Sequence, residues 1–211
     1  MNKEIELFLT PSEAANQDKT KQAIAKKCGI PFKDVAYYKV LRRSIDSRHK
    51  PLYRLRVFVS TEQPKLEKKI KNYQDVSSKN AVIIVGAGPC GLFAALKLIE
   101  CGLKPIIVER GKKVEDRKKD IAAIARNKEL NTESNWCFGE GGAGTFSDGK
   151  LNTQTHSPLN REVLERFVAH GAPQEILYVN KPHIGSDKLP IVVENIRNCI
   201  VEHGGEYHFD S

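Results

Sequence analysis

The sequence lacks any long apolar run. No stretch of its 211 residues reaches the roughly 18–20 apolar residues that a membrane-spanning helix needs. The N-terminus, MNKEIELFLTPSE, does not have the basic and then apolar order of a secretory signal peptide. With 40% hydrophobic and 28% charged residues, the chain can bury a core. These features predict a soluble, cytoplasmic, globular protein with no membrane partner.

Cysteine motifs are also missing. The five cysteines are odd in number and widely spaced, and none belongs to a CxxC pair. Such a set predicts reduced, mostly buried thiols rather than a disulfide framework or a zinc site. The six histidines show no metal-ligand spacing either, so we expect no metal site.

Positive charge is concentrated in the first part of the chain. Residues 1–80 hold 18 Lys/Arg and 9 Asp/Glu, whereas residues 81–211 hold 16 and 17. This asymmetry indicates two regions of different character, joined near the polar stretch at 74–80. We therefore predict one domain at 1–75 and a second at 76–211.

Residues 1–75 have the pattern of a small basic α+β module. Alternating polar and apolar residues predict strands at 4–9 and 52–60, with another at 34–43. A weak helical stripe over 14–27 stops near Gly29, a typical helix terminator. Residues 64–73 have the composition of a short connecting helix.

Basic residues gather around the turn between the second and third predicted strands. They are Arg42, Arg43, Arg48, His49, Lys50, Arg54 and Arg56. Together with neighbouring tyrosines, they could bind RNA or an acidic partner through phosphate contacts and stacking. No KH or RNP motif accompanies them, and a solvated charged face is the alternative interpretation.

The strongest motif follows the polar stretch. Residues 81–111 read AVIIVGAGPCGLFAALKLIECGLKPIIVERG. The apolar run at 81–85 predicts a strand buried on both faces of a parallel sheet. A G-x-G-x-x-G cluster, a helix and a second strand follow, and Glu109 stands at the end of that strand. Their order predicts a β-α-β unit that binds a dinucleotide.

Each part of this fingerprint has a physical purpose. Gly86 permits the tight turn, Gly88 lets a diphosphate touch the backbone, and Gly91 lets the helix pack close to the strand. The start of the helix offers free amides and the positive end of its dipole to the phosphates. Glu109 is placed to accept hydrogen bonds from ribose hydroxyls.

Two features after the fingerprint favour FAD over NAD, and a second glycine cluster, GEGGAGTFSDG, follows them at 139–149. The acid of the fingerprint is followed by Arg110 and a glycine, and no regular second β-α-β repeat comes next. A flavin ring is broad and flat, so backbone can approach it only where side chains are missing. We therefore expect this loop to contact the flavin, with Thr145 supplying a hydroxyl. A flexible surface loop is the alternative interpretation.

The predicted cofactor-binding residues come from both clusters, the acid and two arginines that could lie near phosphates. They are Gly86, Gly88, Pro89, Cys90, Gly91, Glu109, Arg110, Arg117, Gly141, Gly142, Gly144 and Thr145. No residue is assigned a catalytic role.

The motifs resemble a family of bacterial FAD-dependent dehydrogenases or oxidoreductases of largely uncharacterised function. The fingerprint is similar to that of the glutathione-reductase-like FAD-binding fold. The segments FGEGGAGTFSDGKLNT at 138–153 and HIGSDKLPIVVENIRNCIVEHGGEYHF at 183–209 are similar to the family's motifs. Family members also begin with a small α+β domain carrying a motif like LRRSIDSRHK at 41–50.

This resemblance implies an α/β fold in which a Rossmann-like parallel sheet follows the α+β module. Family members are longer, so the chain resembles the N-terminal portion of a larger enzyme and its sheet is expected to be incomplete. The implied activity is an FAD-dependent oxidoreductase of unknown substrate, with NAD(P)H as a possible electron donor. The alternatives are a flavoprotein that binds RNA or an acidic partner, and a non-catalytic fragment.

Overall fold

The computed structural model describes residues 1–64, 73–127 and 130–211. Most of the connecting helix predicted at 64–73 lies outside these residues. The chain forms two compact units, which are Met1–Lys68 with Glu175–Pro182, and Lys69–Gln174 with His183–Ser211. The boundary predicted after residue 75 stays a prediction.

The first unit is an antiparallel sheet covered by helices on one face. Its elements are β1 (Asn2–Leu9), α1 (Pro11–Ala14), α2 (Gln17–Cys28), β2 (Tyr37–Asp46) and β3 (Leu52–Ser60). The strand order is β1-β3-β2, and alternate residues of β1 and β3 point into a core that includes Ile24 of α2. Helix α2 ends where Gly29 adopts a left-handed conformation with φ of 68°. The predicted α+β module is therefore confirmed.

The second unit is built on a parallel sheet. Its elements are β4 (Ala81–Val85), α3 (Pro89–Glu100), β5 (Lys104–Val108), α4 (Val114–Asn127), α5 (Leu159–Ala169), α6 (Leu189–Glu202) and β6 (Glu206–His208). The strand order is β4-β5-β6, with all pairs parallel. The apolar stripe of α3 is buried, including Leu96 and Ile99. This architecture confirms the predicted incomplete Rossmann-like α/β fold.

Strand β4 is not buried on both faces, so that expectation was wrong. The side chains of Ile83 and Val85 are 68% and 88% exposed, whereas Ile84 faces α3. Helices α3 and α6 pack against each other and against the sheet, on the face that holds the buried Ile107. Among the described residues, helices therefore cover only one face of the sheet.

The expectation of mostly buried cysteines was also wrong. Cys90, Cys101 and Cys137 are exposed, and only Cys28 and Cys199 are partly buried. Among the described residues there is no helix with the length and apolar character needed to cross a membrane. In the same part of the chain, no three potential metal-ligating side chains lie close enough to hold an ion.

Candidate functional site

The two glycine clusters lie against each other. The Gly141 amide donates a hydrogen bond of 2.8 Å to the carbonyl of Ala87, inside the fingerprint. A Cβ placed on Gly142 would lie 3.2 Å from Cδ of Pro89 and 3.5 Å from Cα of Gly88. The absence of side chains thus allows the second loop to pack directly on the turn that follows β4.

The start of α3 is open. Gly88 is its N-cap residue, in an extended conformation, and no side chain caps the helix. The first amides of α3, on Cys90 and Gly91, consequently lack the acceptors that a capping side chain provides. The positive end of the helix dipole lies at the same point, which favours binding of an anion.

The glycines of the fingerprint meet different surroundings. A Cβ on Gly91 would lie less than 3.0 Å from the carbonyl oxygen of Gly86, at the contact between α3 and β4. A Cβ on Gly88 would meet no atom within 4 Å. Gly86 has a φ of 97°, a conformation that side chains disfavour. Gly91 therefore allows α3 to pack closely on β4, and Gly86 allows the turn after β4. Gly88 borders open space.

Glu109 lies beside this turn at the end of β5. Its side chain is buried, and its carboxylate accepts hydrogen bonds from the amides of Ala87 at 2.7 Å and Gly111 at 2.8 Å. An ionised carboxylate offers about four lone-pair sites. The two amide hydrogen bonds therefore leave two acceptor sites of the Glu109 carboxylate unused.

The two predicted arginines differ in environment. Arg110 is exposed, pairs with Glu133 at 2.6 Å and stacks on the ring of Phe138. Arg117 is fully buried, and its guanidinium donates to backbone carbonyls of the second loop, including that of Gly142 at 3.1 Å. The structure thus directs the Arg117 side chain into the protein interior.

The second loop has an open side and a buried side. Gly144 is exposed, and a Cβ on it would meet no atom within 4 Å. Thr145 is fully buried, and its hydroxyl has no hydrogen-bond partner among the described residues. The Thr145 hydroxyl lies close to Gly141, where it would collide with a Cβ. The loop therefore exposes backbone at Gly144 and encloses the threonine beneath it.

A cavity of about 570 Å³ opens next to both clusters. Pro89, Cys90 and Gly144 form part of its wall. Half of the remaining lining residues are apolar side chains of α3, α5 and α6, among them Phe93 and Phe167, whose rings meet edge to face at 5.1 Å. Nearly all of the other lining residues lie in the segment 141–153. Its size is typical of cavities that bind small molecules and cofactors. No cofactor-binding role was predicted for α5, although its apolar positions recur at helical spacing.

Glu140 is a fully buried residue of the second glycine loop for which the sequence predicted no role. Its buried carboxylate accepts the amide of Val114, at the start of α4, at 2.9 Å, and pairs with Arg197 of α6 at 2.5 Å. Burial raises the pKa of Glu140 to about 7, although the Val114 amide and Arg197 favour the charged form. Glu140 thus links the second glycine loop to two helices.

In the first unit, acidic side chains neutralise part of the basic cluster. Arg54 pairs with Glu6 at 2.8 Å and Arg56 with Glu4 at 2.5 Å, across the outer face of the sheet. Arg48 pairs with the nearby Asp46. These pairings give no support to the alternative in which the cluster binds RNA or an acidic partner.

Two family models match the chain. Residues 79–126 match an FAD binding domain, and residues 1–60 match a domain of unknown function (DUF8436). An uncharacterised protein of Clostridium beijerinckii is 38% identical over 206 residues, which cover 89% of this chain and 39% of that protein. The chain therefore spans well under half the length of this relative.

The FAD-binding match covers β4, α3, β5 and nearly all of α4. These elements carry the open helix start, the three fingerprint glycines and the buried Glu109. The match and the parallel sheet together support a flavoprotein with an FAD-binding domain.

Proposed function

We propose that this protein is an FAD-dependent oxidoreductase whose cofactor lies across the two glycine clusters. One observation carries the proposal. The uncapped start of α3 opens onto bare backbone at Gly88, within a segment that matches an FAD binding domain. Because an uncapped helix start attracts anions, the diphosphate of FAD is the part of the cofactor that suits it.

The adenosine half of FAD would lie on the side of Glu109. This carboxylate is held in place by two backbone amides and has acceptor capacity left for ribose hydroxyls. Arg110 is exposed next to it. Together these contacts would fix the orientation of the cofactor along the end of the sheet.

The flavin half would extend over the second loop toward the cavity. Gly144 leaves backbone accessible there, and the apolar walls from α3, α5 and α6 suit a flat aromatic ring. Bound flavin supplies hydride or electron transfer. The residues of this chain would orient the ring and exclude water from one of its sides.

On the basis of the sequence motifs, we also propose a glutathione-reductase-like arrangement of the FAD domain and a cytoplasmic location. Neither family match supports NAD(P)H as the electron donor.

A fluorescence titration of the purified chain with FAD tests the proposal. We expect saturable binding, with competition by ADP, which shares the adenosine and diphosphate of FAD. In Gly88→Asp the new carboxylate has room and would cap α3, so the fold should be retained while FAD binding is lost.

Asn198→Asp is the matched control, since it adds the same charge at an exposed position on α6. Saturable binding by the original chain and this control, but not by Gly88→Asp, is the expected result. If the chain binds no FAD, or if Gly88→Asp binds it normally, the proposed site is wrong.

A further inference from the structure

Arg117 forms the centre of a buried network beneath the second glycine loop. Its Nη1 atom donates to three backbone carbonyls and Nη2 to two others. The acceptors are the carbonyls of Asn135 at 2.8 Å, Trp136 at 3.3 Å, Gly139 at 3.2 Å, Gly142 at 3.1 Å and Glu140. Five carbonyls of one short segment therefore converge on a single guanidinium.

An aromatic ring also covers one face of the Arg117 guanidinium. The ring of Phe146 stacks on it, with 5.1 Å between the guanidinium carbon and the ring centroid. The side chain of Arg117 has no exposed surface. The acidic groups of Glu109 and Glu140 lie near enough to stabilise its charge. A phosphate group would have to displace carbonyl groups to reach Arg117.

The conformation of the loop follows from this network. Gly139 has a φ of 111°, and a Cβ on it would collide with the Arg117 side chain. Gly142, with a φ of 70°, also turns its carbonyl toward Arg117. At 139, glycine is therefore required by the arginine and by the backbone conformation.

The outward side of the loop shows what the network achieves. The Gly141 amide is bonded to Ala87, which seats the loop on the fingerprint. The Gly142 amide donates to the Gly139 carbonyl at 3.0 Å, whereas the amides of Ala143 and Gly144 have no protein acceptor within the described ranges, and both residues are exposed. The carbonyls of Gly139, Glu140 and Gly142 are bonded to Arg117, and Gly144 lines the adjoining cavity.

We propose that Arg117 is a positioning residue for the flavin half of the cofactor site, acting through the backbone of the second glycine loop. This inference rests on the proposed function. It differs from the sequence-based expectation, in which Arg117 lies near the cofactor's phosphates. In the present assignment, Arg117 contacts the loop and the loop contacts the flavin half.

A comparison of FAD and ADP affinities distinguishes a role of Arg117 in positioning the loop from a direct contact with the phosphates. ADP carries the adenosine and diphosphate of FAD but has no flavin, so only FAD reports on the second loop. We would measure both dissociation constants by calorimetry for the full chain and for Arg117→Met and Arg117→Lys. Arg126→Met is the control, because it removes the same charge from an exposed position on the same helix.

A positioning role predicts that Arg117→Met weakens FAD binding at least tenfold, while ADP binding changes less than threefold. Arg117→Lys keeps the charge but has three donors where arginine has five, so FAD binding should still weaken at least threefold relative to ADP. The control should bind both ligands as the original chain does. Should Arg117→Met fail to fold, the lysine variant decides the question.

An equal loss of FAD and ADP binding in a folded Arg117 variant would overturn the inference, because it would indicate a phosphate contact. Unchanged FAD binding in such a variant would overturn it as well. If the original chain binds neither ligand, the proposed function itself fails, and this result is distinct from both others.

Discussion

Alanine substitutions at two glycines of the fingerprint, three residues apart, should affect different properties. Gly91→Ala should lower the stability of the fold, whereas Gly88→Ala should weaken FAD binding. In Gly91→Ala, the new Cβ lies less than 3.0 Å from the Gly86 carbonyl oxygen and 3.2 Å from Cγ2 of Ile84. The Gly86 oxygen is part of the backbone of the turn after β4. The Ile84 methyl group belongs to a β-branched side chain whose χ1 angle is restricted, so relief of either contact is costly. In Gly88→Ala, the new Cβ meets no atom within 4 Å, and the φ of −73° suits alanine.

These contacts determine how much each substitution should change the free energy of unfolding. Overpacking costs about 1–3 kcal/mol, and a clash with backbone lies at the upper end of that range. Alanine regains about 1 kcal/mol as the better helix former, so Gly91→Ala should lower the free energy of unfolding by about 2 kcal/mol. Gly88→Ala should change it by less than about 1 kcal/mol, because the poorer N-cap is offset by reduced unfolded-state entropy.

FAD binding should be weakened in Gly88→Ala. The methyl group of Gly88→Ala occupies the space through which the diphosphate would approach the amides of α3. Losing even one hydrogen bond to a charged group costs about 1.5–3 kcal/mol, which is at least tenfold in the dissociation constant.

Urea unfolding followed by circular dichroism, and FAD titration of the folded variants, measure the two effects. Our reasoning would be refuted if Gly91→Ala were as stable as the original chain. It would also be refuted if Gly88→Ala bound FAD with unchanged affinity.

Two other predictions concern stability. Because burial raises the pKa of Glu140 from 4.5 to about 7, the folded state keeps a proton that the unfolded carboxyl releases. The free energy of unfolding should therefore fall by up to about 3 kcal/mol as pH rises through this window, and Glu140→Gln should remove the slope in urea titrations. An unchanged slope in Glu140→Gln would exclude Glu140 as its source. Gly29→Ala should destabilise the first unit by about 1–2 kcal/mol, since Gly29 is left-handed, and Gly29→Asn should cost less. Equal stability of both variants and the original chain in thermal unfolding would contradict that conformation.

The sequence predicted the features that depend on local order along the chain. The apolar run, the glycines at fixed spacing and Glu109 specify a strand, a turn, a helix and a second strand without help from distant residues. Gly29 likewise marks the end of α2 by its own conformation. Elements of this kind are set by short-range patterns and backbone sterics.

Features that depend on distant partners could not be read in this way. The apolar run of β4 does not reveal which elements cover it, and its Ile83 and Val85 are exposed. The burial of Arg117 depends on a loop some twenty residues later that folds around its guanidinium. The raised pKa of Glu140 likewise follows from its burial between α4 and α6.

Amide chemical shifts of the ¹⁵N-labelled chain, recorded while FAD is added, test the central claim most directly. We expect the amides of Gly88, Cys90 and Gly91 to shift together with those of Ala143 and Gly144, because FAD would contact both glycine clusters at once. ADP should shift the first group and leave the second nearly unchanged. FAD-dependent shifts that leave both groups unmoved, or no shifts at all, would contradict the account.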